Sequence, residues 1–344
     1  MPVYTNSGKY FYYVIEKFLC YDAFTNLETE GFFLLGVYME KHTIAQTIKN
    51  QKTLLLFILP GVVFYVLFMY YPMYGLIMAF QDFNPVHGFS GSPFVGFKNF
   101  KFIFSTPNFQ EVLRNTVVIS LLKLLFGQPI PIILALMIIE VKNIRLKKTI
   151  QTISYMPHFL SWVVAAGLWY NFLAGEGIVN SLLLKLNLLD EPIYFLGNKS
   201  WAYPIIIFTS IWKQVGFGSI IYLAALSGIN PELYESAKVD GAGKLRQIWH
   251  ISLPGIKPTI VVLFILAVSN LMRAGFDQIQ AFLNPQIKPV INVIDTEVFK
   301  LLTTGGIMQL SIGAALGFFQ ALVGVMLFII ANLFFRTIKE ESII

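Results

Sequence analysis

Residues capable of titration or nucleophilic chemistry are few in this chain and lie far apart. The four histidines, His42, His87, His158 and His250, include no pair at the spacing that places two ligands on one helix face. The single cysteine, Cys20, forms neither an internal disulfide nor a thiolate cluster, so no metal centre is expected. Gly241, Ala242, Gly243 and Lys244 look faintly like a phosphate-cradling loop. Such a loop needs a glycine five residues before its Gly-Lys pair and Ser or Thr after it, and those places hold Lys238 and Leu245. No nucleotide site is therefore visible. Two charged features remain. Lys213 interrupts an apolar run, where an ionisable side chain faces a partner or a wet cavity. Arg273 and Asp277 stand four residues apart, which on a continuous helix makes an internal ion pair.

The elements that hold these residues belong to a membrane. Of the 344 residues, 56% are hydrophobic and only 13% charged, and the apolar residues gather in runs near 20 long. Such runs cross about 30 Å of hydrocarbon as helices, which satisfy their own backbone groups. The chain reads as an all-α, polytopic membrane protein with six transmembrane helices, at roughly 53–80, 115–139, 149–174, 201–226, 258–280 and 311–335. Residues 1–50 are mixed, with apolar patches at 10–20 and 31–39 too short and too charged to cross. They read as an interfacial or partner-packing extension, or as a weakly ordered leader. No basic region followed by a clean apolar core opens the chain, so no removable signal is expected. The net charge of +6 fits basic loops on one membrane face better than nucleic-acid binding. Segments 41–52, 140–148, 228–257 and 336–344 carry Lys41, Lys49, Lys52, Lys142, Arg145, Lys147, Lys148, Lys238, Lys244, Arg246, Lys257, Arg336 and Lys339. Basic loops favour the cytoplasm, which puts both termini and the 228–257 loop inside.

That loop is unusually elaborate for a connector. Asn230 is a good N-cap, Pro231 suits the first helical position, and Glu232 and Glu235 sit near the positive end of the dipole. Gly241 and Gly243 then stop the helix. A second amphipathic stretch comes next, with Leu245, Ile248, Trp249 and Ser252 at helical spacing on one face, until Pro254 and Pro258 break it. Small residues at Ser236, Ala237 and Ala242 let another protein approach the backbone.

Glu235, Ala237, Asp240, Gly241, Ala242, Ile251, Leu253 and Pro254 resemble, with every gap preserved, the coupling-loop motif of ABC-importer permeases. The motif reads Glu-Ala-Ala, two residues, Asp-Gly-Ala, five residues, Phe, two residues, Ile, one residue, Leu-Pro. The chain departs from it at Ser236 and at Ile248. The likeness covers most of 53–338: Phe94, Val95 and Gly96 with Asn99 and Phe100; Arg114, Asn115 and Thr116; Phe276 to Ile279; Asn284 and Pro285; Val293 to Thr296; Ala331 and Asn332. These resemble the branch of carbohydrate permeases that serves oligosaccharides and polysaccharide fragments, with alginate- and pectin-type importers among its members.

The resemblance implies the type I ABC-importer permease fold and a coupling role for Glu235, Ser236, Ala237, Asp240, Gly241, Ala242, Ile251, Leu253 and Pro254. It implies that ATP and Mg bind to separate ATPase chains, with no cofactor on this one. The expected partners are a second homologous permease subunit (or a second copy of this chain), two ATP-binding subunits, an extracytoplasmic solute-binding protein and membrane lipid, in a bacterial-type cytoplasmic membrane. No enzymatic step is expected of the chain itself.

A sugar presents hydroxyls and flat C–H faces, so its path should pair rings with polar groups. Trp169, Tyr170 and Asn171, then Trp212, Lys213 and Gln214, fit that description, with Asn270, Arg273 and Asp277 adding polar and charged groups. The same aromatics equally suit interface belts or helix packing. Lys213 and Arg273 are cations suited to a uronate. Two other classes compete. A secondary carrier driven by ions would place acidic residues at the membrane midplane, yet here they lie in loops or at span ends. A membrane-bound enzyme such as a glycosyltransferase would cluster Asp, Glu or His at one face, and none is evident.

Overall fold

A computed structural model describes residues 52–338, apart from the side chains of Leu54, Ile307 and Met308. The extension at 1–50 lies outside the described residues. The chain divides into two compact units, Met1–Met73 and Tyr74–Ile344. In the first, α1 (Lys52–Tyr65) gives way to a π turn at Val66–Tyr70 and then to a tighter 3-10 stretch, Tyr71–Phe80, that runs on past the boundary. The regular ladder loosens just ahead of Pro72, which has no N–H to continue it. The apolar stretch Leu55–Phe80 is long enough to cross a membrane.

In the second unit an amphipathic helix, α2 (Lys98–Ser105), precedes α3 (Pro107–Gly127) and α4 (Pro129–Ile139), which together form one apolar stretch, Pro107–Ile139. This span starts eight residues before the expected position 115, because Pro107 opens the helix at its first turn. After α4 come α5 (Ile144–Tyr155), α6 (Trp162–Leu173), α7 (Ile178–Lys185), α8 (Lys199–Ser227), α9 (Pro231–Val239), α10 (Lys257–Ser269), α11 (Phe276–Phe282), α12 (Ile294–Thr304) and α13 (Ile307–Thr337).

Two expected spans are corrected. The run 149–174 is not one helix: α5 ends at Tyr155, a 3-10 turn fills Met156–Phe159, and the apolar stretch begins afresh at Trp162 and runs to Lys185. Pro157 stops the first helix, and the Ser161 hydroxyl accepts from the Val164 N–H (3.2 Å) to cap the second. The run 258–280 is also broken. α10 covers only Lys257–Ser269, 270–275 is non-helical, and α11 starts again at Phe276. Gly275, at φ +97°, supplies the left-handed residue that a continuous helix excludes. Arg273 and Asp277 therefore do not share a helix, and no ion pair joins them among the described residues.

α8 is the most buried of the long helices and packs against α3, α4 and α5, while α13 packs against α10 and α12. One core joins α3, α6, α8 and α11 through Ile119, Ala166, Ile206 and Phe282; another joins α4 to α8 through Ile138 and Leu226. Inside hydrocarbon such contacts gain from close packing and hydrogen bonds rather than from expelling water. Gly216 of α8 shows how close: a Cβ there would fall on the Ser154 carbonyl of α5.

Candidate functional site

The 230–254 loop folds as a two-limbed projection. The Asn230 carboxamide oxygen accepts from the Glu232 N–H (3.0 Å), Pro231 opens α9, and Lys238 sits in its last turn. Gly241, at φ +74°, reverses the chain while the Ala242 N–H returns to the Ala237 carbonyl (2.8 Å) and the Gly241 N–H to Lys238 (3.1 Å). The second limb is tied to the turn by buried Gln247, whose amide donates to the Ala242 carbonyl (2.8 Å). It is tied to α9 by the Tyr234 and Ser252 hydroxyls at 2.9 Å. Lys244 meets Glu140, at the end of α4, at 2.6 Å. The limb Lys244–Gly255 then joins α10 through a 62° bend.

Glu235, Ser236, Asp240, Gly241 and Pro254 are exposed, and Ala237, Ala242, Ile251 and Leu253 are half-buried. Leu233, Val239, Leu245 and Trp249 present apolar side chains to the outside, Val239 being 88% exposed. The second limb differs from the single amphipathic face expected of it. Leu245 and Trp249 face out, whereas Ser252 is buried and Ile248 half-buried. A π turn at Ile248–Ser252 explains the difference, since its extra residue rotates the later side chains about the helix axis.

Between α3, α8 and the end of α10 lies a half-open cleft of about 540 Å³, within the usual range of about 300–1,000 Å³ for small-ligand sites. Its polar lining comes from Ser120, Lys123 and Gln128 of α3 and the α3–α4 joint, Ser210 and Gln214 of α8, and Asn270 and Arg273 at the break after α10. A second cleft, of about 330 Å³, shares Asn270 and Arg273 and reaches Gln320 of α13. Of the residues proposed for the sugar path, Gln214, Asn270 and Arg273 line these clefts.

The others point elsewhere. Lys213 is buried, its ammonium donating to the His158 carbonyl (2.6 Å) and standing 5.4 Å over the Trp162 ring. His158 stacks on Phe217 at 3.9 Å, and burial, followed by the Lys213 charge, holds its ring below the ordinary imidazole pKa. Trp169 and Trp212 pack edge to face at 5.4 Å, Tyr170 stacks on Phe282, and the Asn171 amide donates to the Gly167 carbonyl. Asp277 is exposed in the first turn of α11. Ser120, Lys123, Gln128 and Gln320 escaped the sequence reading. Lys123 carried the same signal as Lys213, an ionisable side chain within an apolar run.

Several of the motifs outside the loop hold the helices together through hydrogen bonds, and those at 114–116 and 293–296 meet in one buried network. The Asn115 amide donates to the carbonyls of Pro289 (2.9 Å) and Asn292 (3.1 Å), and the Thr116 hydroxyl accepts from the Ile294 N–H (2.9 Å). Thr296 donates to Asn292 (2.9 Å) and accepts from the Val293 N–H (3.0 Å). Gln278 donates to the Ile206 carbonyl (2.7 Å) and Thr209 (2.9 Å), and Asn284 to the Leu196 carbonyl (2.9 Å). These amides and hydroxyls pair with backbone groups of the 289–294 segment, of the turn at Phe195–Gly197 and of α8, which need partners where no water reaches them. Asp295 joins through Gln320, which donates to it and to the Met272 carbonyl, both at 2.6 Å. Burial pushes the Asp295 carboxyl above the usual carboxylate range, against the opposing effects of Gln320, the neighbouring backbone and Arg273. Among the described residues no group of three or more His, Cys, Asp or Glu is placed to hold a metal ion.

Known proteins share both sequence and shape with this chain. The family of binding-protein-dependent transport system inner membrane components matches residues 53–340. The polygalacturonan/rhamnogalacturonan transport system permease protein YteP of Bacillus subtilis (strain 168) is 43% identical over 297 residues, 86% of this chain and 91% of the relative. Protein LplB of the same organism is 39% identical over 297 residues, 86% of this chain and 92% of the relative. A chain in the crystal structure of a bacterial alginate ABC transporter, in complex with an alginate pentasaccharide-bound periplasmic protein, superposes with a TM-score of 0.79. It is 39% identical, covering 87% of this chain and 99% of that one. By sequence and fold alike, this chain belongs to the inner-membrane component family of binding-protein-dependent transport systems and is a permease subunit of an ABC importer.

Proposed function

We propose that the chain forms half of the translocation path of an ATP-driven importer for acidic oligosaccharides cut from uronate-bearing polysaccharides, and that its 230–254 loop docks on an ATP-hydrolysing subunit. One observation carries the docking role. The helix–glycine–helix projection leaves Leu233, Val239, Leu245 and Trp249 uncovered, while internal hydrogen bonds hold its shape. A surface that is apolar, exposed and internally braced suits a partner that receives it as a rigid helix in a groove. Glu235, Ser236, Ala237, Asp240, Gly241, Ala242, Ile251, Leu253 and Pro254 form that projection and its root.

In this reading ATP and Mg are bound by two partner ATPase subunits, a second permease chain completes the path, and a solute-binding protein delivers the sugar from outside. Both termini and the loop face the cytoplasm, consistent with the lysines and arginines of the loop and its neighbours. The acidic cargo is supported by relatives named for polygalacturonan and alginate transport, and by the cations Lys123 and Arg273 in the cleft. The test is ATP hydrolysis by the reconstituted complex, measured with binding protein loaded with a panel of oligosaccharides. Uronate oligomers are expected to stimulate it most. Equal or stronger stimulation by neutral oligomers of the same length would overturn the cargo assignment.

A further inference from the structure

We infer that Lys123 and Arg273 are the charge-selecting residues of this path, together engaging the carboxylate of a uronate unit in the cleft; the inference rests on the acidic-cargo reading above. Lys123 lies within the long apolar span, where a cation is costly unless it faces water or an anion. Its ammonium donates to the Ala274 carbonyl (2.6 Å) and to Gln278 (2.5 Å), which fixes it beside the 270–275 break and leaves one of its three protons for a ligand. Arg273 stands on that same break, is exposed, and makes no hydrogen bond or ion pair through its side chain among the described residues.

No carboxylate lines either of the two clefts that these cations border. Asp295, whose charge acts on both Lys123 and Arg273, forms an ion pair with neither among the described residues, is turned to Gln320 and lies outside both linings, as does Asp277. A planar guanidinium and a fixed ammonium lining one cleft offer donors to the two oxygens of a carboxylate, and low-dielectric walls focus their combined field. The neutral groups around them suit sugar hydroxyls: Ser120 has a buried hydroxyl with no partner, and Gln128, Gln214 and Asn270 add amides. No aromatic ring lines the larger cleft, so charge and hydrogen bonding, rather than stacking, discriminate there. Lys213 donates to the His158 carbonyl and lines neither cleft, so it is not part of this pair.

The test uses the whole reconstituted importer and compares an oligogalacturonide with its methyl ester, which has the same length and hydroxyls but no charge. Loading of the binding protein with each is verified separately. Arg273→Gln is expected to cut uptake of the free acid about tenfold and to leave the ratio of acid to ester reversed or equal, while Arg273→Lys restores most of the preference. Lys123→Gln, which keeps a donor for Ala274, is expected to act in the same direction. Equal loss of both cargoes in assembled Arg273→Gln, or an unchanged preference in it, overturns the inference. Should Lys123→Gln fail to assemble, the Arg273 pair of variants decides. A wild-type importer that moves neither cargo would instead refute the acidic-oligosaccharide reading itself.

Discussion

Replacing Gly241 should uncouple ATP hydrolysis from transport without dismantling the permease. At φ +74° this residue occupies the left-handed region, which costs a residue with a Cβ about 1–2 kcal/mol and a β-branched one more. Nothing lies within 4 Å of where its Cβ would stand, so the penalty is backbone strain confined to the turn and not a clash in the bundle. The turn relieves that strain only by releasing the Ala242 N–H from Ala237, the Gly241 N–H from Lys238, and with them the acceptor of Gln247. About 1–2 kcal/mol corresponds to a drop of about 5–30-fold in the native turn relative to its alternatives. The assay is uptake per ATP hydrolysed in proteoliposomes, with assembly scored by co-purification of all subunits. Gly241→Val is expected to assemble normally and to lose most uptake. Gly241→Asn should retain far more, since Asn tolerates the left-handed region. Near-normal uptake by the valine variant, or an asparagine variant as poor as valine, would refute the reasoning.

Two further outcomes are expected from the packing. Gly216→Ala sets a Cβ on the Ser154 carbonyl, a backbone atom that cannot swing aside, and should cost about 1–3 kcal/mol, seen as a lower thermal-inactivation temperature of the purified complex; an unchanged temperature would show that α5 and α8 yield more easily than their contact implies. Lys213→Met removes the donor to the His158 carbonyl and should slow acidic and neutral cargo by the same factor, whereas a selective loss of the acidic one would place Lys213 in the path.

Much of this architecture is written in the sequence, and the exceptions share a cause. The shape of the 230–254 loop was legible because its signals are local: a capping asparagine, a proline after it, and a glycine where the chain must turn left-handed. The span 201–226 was legible because its apolar run is bounded by the Asn198 cap and Gly228. Hydropathy alone misplaced the third and fifth spans, since Ile150 to Met156 and Val261 to Ile279 are apolar enough to read as continuous. The breaks were nevertheless marked by Pro157, Ser161 and Gly275. The cleft was least legible. Lys123 and Lys213 are the same residue type in similar runs and each donates to a backbone carbonyl, and only the packing of α3 and α8 leaves the first lining the cleft and the second away from it. The Asn115 and Asn292 network likewise joins positions 177 residues apart, which no local pattern links.

The central claim is that sugar moves through this chain only when ATP hydrolysis drives the 230–254 loop. It is tested most directly by uptake of labelled oligogalacturonide with ATP depleted and the ion gradients maintained, and again with the gradients collapsed and ATP supplied. The account predicts that uptake stops in the first case and continues in the second. Uptake that survives ATP depletion and fails when the gradients collapse would contradict it.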